Sequence, residues 1–138
     1  MIKRYHGTNA VSAAAIVGPP SNINLSLGGG ELGVGFYVGV NVSLCAARAK
    51  SKYKSNSSVI EFEINSKNYN SLRILKIKNR NRVYNLWRKL NRTKQRNIFI
   101  FNYDVIRTPY ATIYYSFQEK FETLKSKLTL ENSTKKII

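Results

Sequence analysis

The glycine-bounded segment Gly33-Val34-Gly35-Phe36-Tyr37-Val38-Gly39-Val40 constrains this chain more than any other part of its sequence. Its aromatic and β-branched centre predicts a strand over 35–40, held between glycines that leave the backbone open to close approach. Asn41 then caps a helix on which Leu44, Ala47, Lys50 and Tyr53 share one face. The phrase Tyr5-His6-Gly7-Thr8 precedes it near the start of the chain, on a strand predicted over residues 2–6, and His6 is the only histidine. One imidazole and one phenol, each set beside glycine, suit a planar, phosphate-containing ligand better than they suit a core.

The remaining elements are short. Asn9 to Val17 reads as an Ala-rich helix closed by Gly18-Pro19-Pro20, and Gly28-Gly29-Gly30 ends a polar loop. Ser58 to Ile64 alternates from Ile60 onward, the pattern of a half-buried strand. Val83, Leu86, Trp87 and Leu90 recur at helical spacing, and apolar strands are expected over 98–106 and 111–117. Periodicity leaves 119–130 open between a closing helix and a last strand. Short strands mixed with a few helices predict an α+β fold built on antiparallel sheets. The expected organisation is one domain over 1–138 with a basic insertion at about 65–97.

Charge narrows the partners. The 138 residues hold 23 Lys and Arg against 7 Asp and Glu, a formal +16, while hydrophobic residues make up 43%. The apolar share supports a real core. The imbalance favours a polyanion: nucleic acid, an anionic surface or an acidic protein. Cys45 is the only cysteine, which excludes an intramolecular disulfide, and the sequence suggests no metal site. The N-terminus has no apolar signal region and no run reaches membrane-spanning length, so membrane insertion is not expected. Delivery across a membrane would then depend on a larger polypeptide or another machine.

The order His-Gly-Thr, Gly-x-Gly-aromatic-Tyr, then a small-residue helix starting near Val42-Ser43 resembles the ADP-ribosyltransferases. The likeness is to the histidine–tyrosine branch that contains diphtheria-type toxins and poly(ADP-ribose) polymerases, and it covers residues 4–64 best. The glycines fit neither a dinucleotide-binding fingerprint nor a P-loop. The resemblance implies split antiparallel β-sheets with flanking helices, and NAD as co-substrate. It implies that His6 bonds the adenosine ribose and that Gly7 backbone groups hold the nicotinamide amide, with Thr8 nearby. The resemblance further implies that Gly35 lets the chain approach NAD closely and that Tyr37 stacks on the nicotinamide ring. Cys45 takes the place of a small hydroxyl residue beside the carboxamide. The family's second stacking tyrosine falls on Arg48, a departure from the pattern.

The third catalytic position is the other departure. The family places a glutamate at the start of a late strand, and the segment Ala111-Thr112-Ile113-Tyr114-Tyr115-Ser116-Phe117 opens without one. Glu119 is the nearest acid; Thr112, Tyr114 and Glu31 are the alternatives, and Glu122 lies further along. Members without that glutamate transfer a single ADP-ribose or are inactive, so the resemblance implies mono-ADP-ribosylation. The acceptor half is read from charge: between Asn65 and Tyr103 there are 11 basic residues and no acid. Arg82, Arg88, Lys89, Arg92, Lys94 and Arg96 form an expected track for phosphates, favouring RNA as acceptor over DNA or protein. Tyr84 is placed to stack on a base, and Trp87 falls on the apolar face.

A basic transferase of this kind fits a toxin module that acts in the cytoplasm of a target cell after delivery as part of a larger protein, held in check by an acidic immunity protein. Two other classes remain open. One is an RNA 2′-phosphotransferase, against which a single histidine counts. The other is a catalytically inactive nucleic-acid-binding module.

Overall fold

The computed structural model describes residues 1–26, 30–94, 100–111 and 116–138. The described chain is a mixture of strands and helices that divides into two compact units. The first comprises Met1–Ile23, Val38–Ser71 and Leu128–Ile138; the second comprises Asn24–Tyr37 and Leu72–Lys127. The basic insertion expected at 65–97 runs across the boundary that follows Ser71.

The first unit is organised by β1 (Ile2–Asn9). This strand pairs antiparallel along its whole length with β3 (Ser57–Ile64), so that His6 stands opposite Ile60 and Tyr5 opposite Glu61. Its other edge meets β2 (Phe36–Gly39), with Tyr5 opposite Gly39. The far edge of β3 pairs antiparallel with β7 (Thr134–Ile137), which puts Lys136 opposite Glu61. Asn9 ends β1 and also caps α1 (Ala10–Val17) by accepting from the Ser12 amide, so strand and helix meet without a loop. Asn41 does the same for α2 (Val42–Tyr53), accepting from Leu44 N. A 3-10 turn over Lys54–Asn56 then leads into β3.

The face of α2 differs from the one its spacing suggested. Cys45 and Ala49 are buried, whereas Ala47 and Lys50 are exposed. The reason lies across the interface at Gly7: a methyl there would stand 2.5 Å from the Cys45 carbonyl and 2.9 Å from Ala49 Cβ. Only a glycine lets α2 lie this close to the strand, and the small residues of α2 are the ones that meet it. The strand expected over Ser58–Ile64 is present and starts one residue earlier, at Ser57. Val59, Ile60, Glu61 and Phe62 are all buried, so both pleat faces are covered here. The helix α3 (Ser66–Asn70) follows, capped by Asn65.

The second unit contains a β-α-β crossover: β4 (Ile74–Lys76), α4 (Arg80–Thr93) and β5 (Val105–Pro109). β4 and β5 pair parallel, which requires a long connection, and α4 supplies it. The sequence pointed to antiparallel pairing throughout, and a three-residue strand offers too little pattern to reveal the crossover. β5 pairs antiparallel with β6 (Phe117–Phe121), Arg107 opposite Glu119. Leu32, Ile77, Val83, Ile106 and Ala111 form the core here, with Leu86 and Trp87 of α4 packed against it. Within 119–130, left open by periodicity, the chain completes β6 and then forms the helix α5 (Leu124–Glu131), and β7 follows beyond it. Among the described residues no helix is long and apolar enough to cross a membrane.

Candidate functional site

In the first unit, β1 carries His6, Gly7 and Thr8 on successive rungs. Alternation sends His6 and Thr8 to one pleat face and Tyr5 and Gly7 to the other. Thr8 is buried and His6 half-buried. Cys45 lies on the Gly7 side, where its thiol is directed to the Tyr5 carbonyl at 3.6 Å. Burial raises the Cys45 pKa against the opposing effects of the Gly39 backbone and Arg48, so this thiol stays protonated at neutral pH. Cys45 is therefore a small buried hydrogen-bond donor.

The same face holds a carboxylate that the sequence pattern disguises. Glu61 alternates with Ile60 and Phe62, a pattern that marks it as solvent-facing, yet it is buried beside Tyr5. Lys136 Nζ lies 3.5 Å from its Oε1, and that oxygen accepts no hydrogen bond. A run of alternating acids in a strand gives no sign of which face receives a helix, and α2 decided it.

In the second unit, Tyr37 is held at its hydroxyl by two hydrogen bonds. Its hydroxyl donates to the Gly33 carbonyl at 2.5 Å and accepts from Leu32 N at 3.0 Å. Gly30 lies against the hydroxyl end of the ring, where any side chain would overlap it. Gly35 has φ +156°, and a Cβ there would meet the aliphatic stem of Lys120 at 2.6 Å. The glycines around Tyr37 thus have partners inside the protein: Gly30 makes room for the phenol and Gly35 for a lysine.

Lys120 is fully buried. Its ammonium bonds the Leu32 carbonyl at 2.9 Å and pairs with Glu122 at 2.9 Å. Burial lowers the lysine's pKa, and the hydrogen bond and charge of Glu122 act in the opposite direction. Glu122 also accepts from Phe101 N and Asn102 N. Glu31 accepts from Ala111 N at 2.8 Å and from the Gln118 amide at 2.9 Å. Gln118, Lys120 and Glu122 alternate with Glu119, which belongs to the opposite face of β6.

Glu119 is completely buried and takes the Arg107 guanidinium at 3.0 Å. Arg107 lies over the Phe117 ring, 5.3 Å from its centroid. A carboxylate in this setting is an ion-pair partner first; it reaches a ligand only if Arg107 moves aside. Of the alternatives, Glu31 is committed to two donors, and Thr112 and Tyr114 lie outside the described residues. Arg96 also lies outside them. Arg82, Arg88, Lys89, Arg92 and Lys94 are all exposed, on α4 or just past its end.

Of the expected site residues, His6, Gly7, Thr8 and Cys45 belong to the first unit, with His6 and Thr8 on the face of β1 opposite Gly7 and Cys45, whereas Glu31, Gly35, Tyr37, Glu119 and the α4 cations belong to the second. The pair Arg107–Glu119 was not legible from spacing, because cross-strand register decides which charges meet. No family model matches this chain, and the search of curated proteins finds no match.

Proposed function

We propose that this chain is an NAD-dependent mono-ADP-ribosyltransferase whose acceptor is a nucleic acid, with RNA favoured. The observation that carries this reading is the pairing of the histidine strand with the tyrosine strand. β1 and β2 are antiparallel neighbours with Tyr5 opposite Gly39, so the phrase around His6 and the glycine-bounded phrase after it meet within the first unit at Tyr5 and Gly39. Such a pair, with a helix packed against Gly7, supports the finer expectation of an ADP-ribosyltransferase-like fold.

In this reading NAD binds with its adenosine ribose at His6 and its nicotinamide against Tyr37. The Tyr37 phenol is fixed at its hydroxyl and packs against the core of the second unit, so the part of its ring that would meet the nicotinamide is already ordered. The bond between the anomeric carbon and the nicotinamide nitrogen breaks, its electron pair leaves with neutral nicotinamide, and cation-like character develops at that carbon. An acceptor oxygen or nitrogen then bonds to the anomeric carbon and releases its proton. The protein's part is to hold the dinucleotide bent, exclude water and orient the acceptor. Glu119 would stabilise the cation-like centre after exchanging Arg107 for a ribose hydroxyl. The toxin role and an acidic immunity partner belong to the same reading and rest on resemblance and charge.

Incubation with NAD labelled on its adenosine part, together with total RNA, DNA and cell lysate, tests it. Label is expected in RNA, and His6→Ala should lower incorporation at least tenfold, as removal of a ribose anchor would. Label only in protein would move the acceptor; no label anywhere would favour an inactive binding module. Undiminished labelling by His6→Ala would remove His6 from the site.

A further inference from the structure

The second unit contains four acidic residues, and each is taken up inside it. Glu31 holds Ala111 N and Gln118. Asp104 holds Arg73 N at 2.8 Å and the Thr123 hydroxyl at 2.6 Å. Glu119 holds Arg107, and Glu122 holds Lys120. Their side chains or whole residues are buried, so the described surface of this unit presents cations with no carboxylate among them. Arg73, Lys76, Lys78, Lys125 and, on α4, Arg82, Arg88, Lys89 and Arg92 are exposed there.

Two of these exposed arginines lie over aromatic rings. Arg73 stands 4.8 Å from the Tyr103 centroid, and Arg88 stands 5.9 Å from that of Tyr84. Tyr84 in turn sits 5.8 Å from Trp87 at an interplanar angle of 56°. Tyr84 is 40% exposed, while Trp87 is half-buried against the unit's core. The expected core role of Trp87 is thus half of its role: it also backs an outward-facing tyrosine. Asn81, Asn85 and Asn91 are exposed on the same helix and bring amides that both donate and accept.

We infer that the outer face of α4 is a docking surface for single-stranded RNA, on which a base stacks at Tyr84 beside Arg88 while Arg82, Lys89, Arg92 and Lys94 hold flanking phosphates. Charge complementarity selects a polyanion, since Arg82, Arg88, Lys89, Arg92 and Lys94 are exposed on or just past one helix and no acidic residue occurs between Asn65 and Tyr103. The exposed ring selects a strand whose bases are open: in a duplex both base faces are covered, and the A-form major groove is too narrow to admit a helix. A single strand offers a π-face to tyrosine and phosphates to arginine at the same time. The asparagine amides favour RNA over DNA through the 2′-hydroxyl. The inference deepens the acceptor half of the proposed function, but the interface stands without NAD.

Trp87 is the only tryptophan, so its fluorescence reports from this face of α4. Titration of the full chain with a 12-nucleotide oligouridylate, in buffer without NAD, should shift or quench that emission, and the affinity should fall steeply with salt. Tyr84→Ala should weaken binding about tenfold and Tyr84→Phe should restore it, because stacking needs the ring and not the hydroxyl. Matching circular dichroism of both variants separates this from misfolding. Duplex RNA bound as tightly as the single strand, or equal affinity of Tyr84→Ala and the unaltered chain, would overturn the stacking surface. Tighter binding of the matching DNA strand, or of heparin, would overturn the choice of RNA. NAD-dependent labelling measured separately on the unaltered chain keeps the two proposals apart: RNA binding without labelling sinks only the transferase, and labelling without RNA binding sinks only this surface.

Discussion

At the scale of single residues, Gly7 and Cys45 show how local identity serves packing before chemistry. Gly7 has no room for a methyl because the Cys45 carbonyl and Ala49 lie against it. Gly7→Ala should lower unfolding stability by about 1–3 kcal/mol, the range for overpacking, and a denaturant midpoint unchanged from the parent would contradict the packing. Cys45 is buried with its thiol on the Tyr5 carbonyl and its pKa raised. Its alkylation by iodoacetamide at pH 8 should therefore run at least 100-fold slower in the native chain than in urea, following the population of open states. Equal rates would show an exposed thiolate instead. Both residues were singled out by the sequence for binding NAD, and in the structure each also holds β1 and α2 together.

Asp104 carries a pH dependence that belongs to the same scale. Burial alone would raise its pKa, but the Thr123 hydroxyl, the Arg73 backbone and the charges of Lys125 and Arg73 outweigh it, and the pKa is lowered. A carboxylate depressed in the folded state contributes stability above its unfolded pKa of 3.8 and loses it as pH falls through the folded value. Asp104→Asn should flatten the acid limb of the stability profile below pH 4, as followed by urea unfolding. An acid limb of unchanged slope would show that Asp104 is not the group responsible.

At the scale of elements, α4 was the most legible part of the chain. Its apolar spacing at Val83, Leu86, Trp87 and Leu90 gave the helix, and the structure runs it from Arg80 to Thr93 with Val83 and Leu90 buried. Asn79 starts it, accepting from Asn81 N and Arg82 N. With no acid in the first turn, that side chain bears the capping alone among the described contacts. Asn79→Ala should cost about 1 kcal/mol, read as a lowered midpoint in urea, and no change would mean that water caps the end equally well. Strands proved harder to place. The apolar stretch expected over 98–106 gives way to β5 at Val105–Pro109, and the strand expected over 111–117 to β6 at Phe117–Phe121. Residues 98, 99 and 112–115 lie outside the described part. β6 turns polar residues inward: Gln118, Glu119 and Lys120 are each buried against a polar partner from elsewhere in the unit.

At the scale of the whole molecule, the excess of positive charge outweighs every local ion pair. A formal +16 on 138 residues repels itself, and in the second unit the few acids are spent inside and cannot screen the surface. Raising NaCl from 20 to 200 mM should therefore raise Tm by several degrees, because the Debye length shortens from about 20 to about 7 Å. A flat or falling Tm in scanning calorimetry would mean that the cations are already compensated.

Composition and short-range pattern alone determined the α+β class, the strand at residues 2–6, the helices around α1, α2 and α4, and the excess of positive charge. These follow from local rules: asparagine caps, glycine and proline breaks, and helical periodicity act over a few residues. Tertiary structure alone decided that β4 and β5 run parallel, that Glu61 lies buried, that Glu119 pairs with Arg107 and Lys120 with Glu122, and that the glycines beside Tyr37 accommodate its ring and a buried lysine. The parallel pairing, the burial of Glu61 and the Arg107–Glu119 pair depend on register between strands distant in sequence and on which face a helix covers, and a side chain's type carries neither.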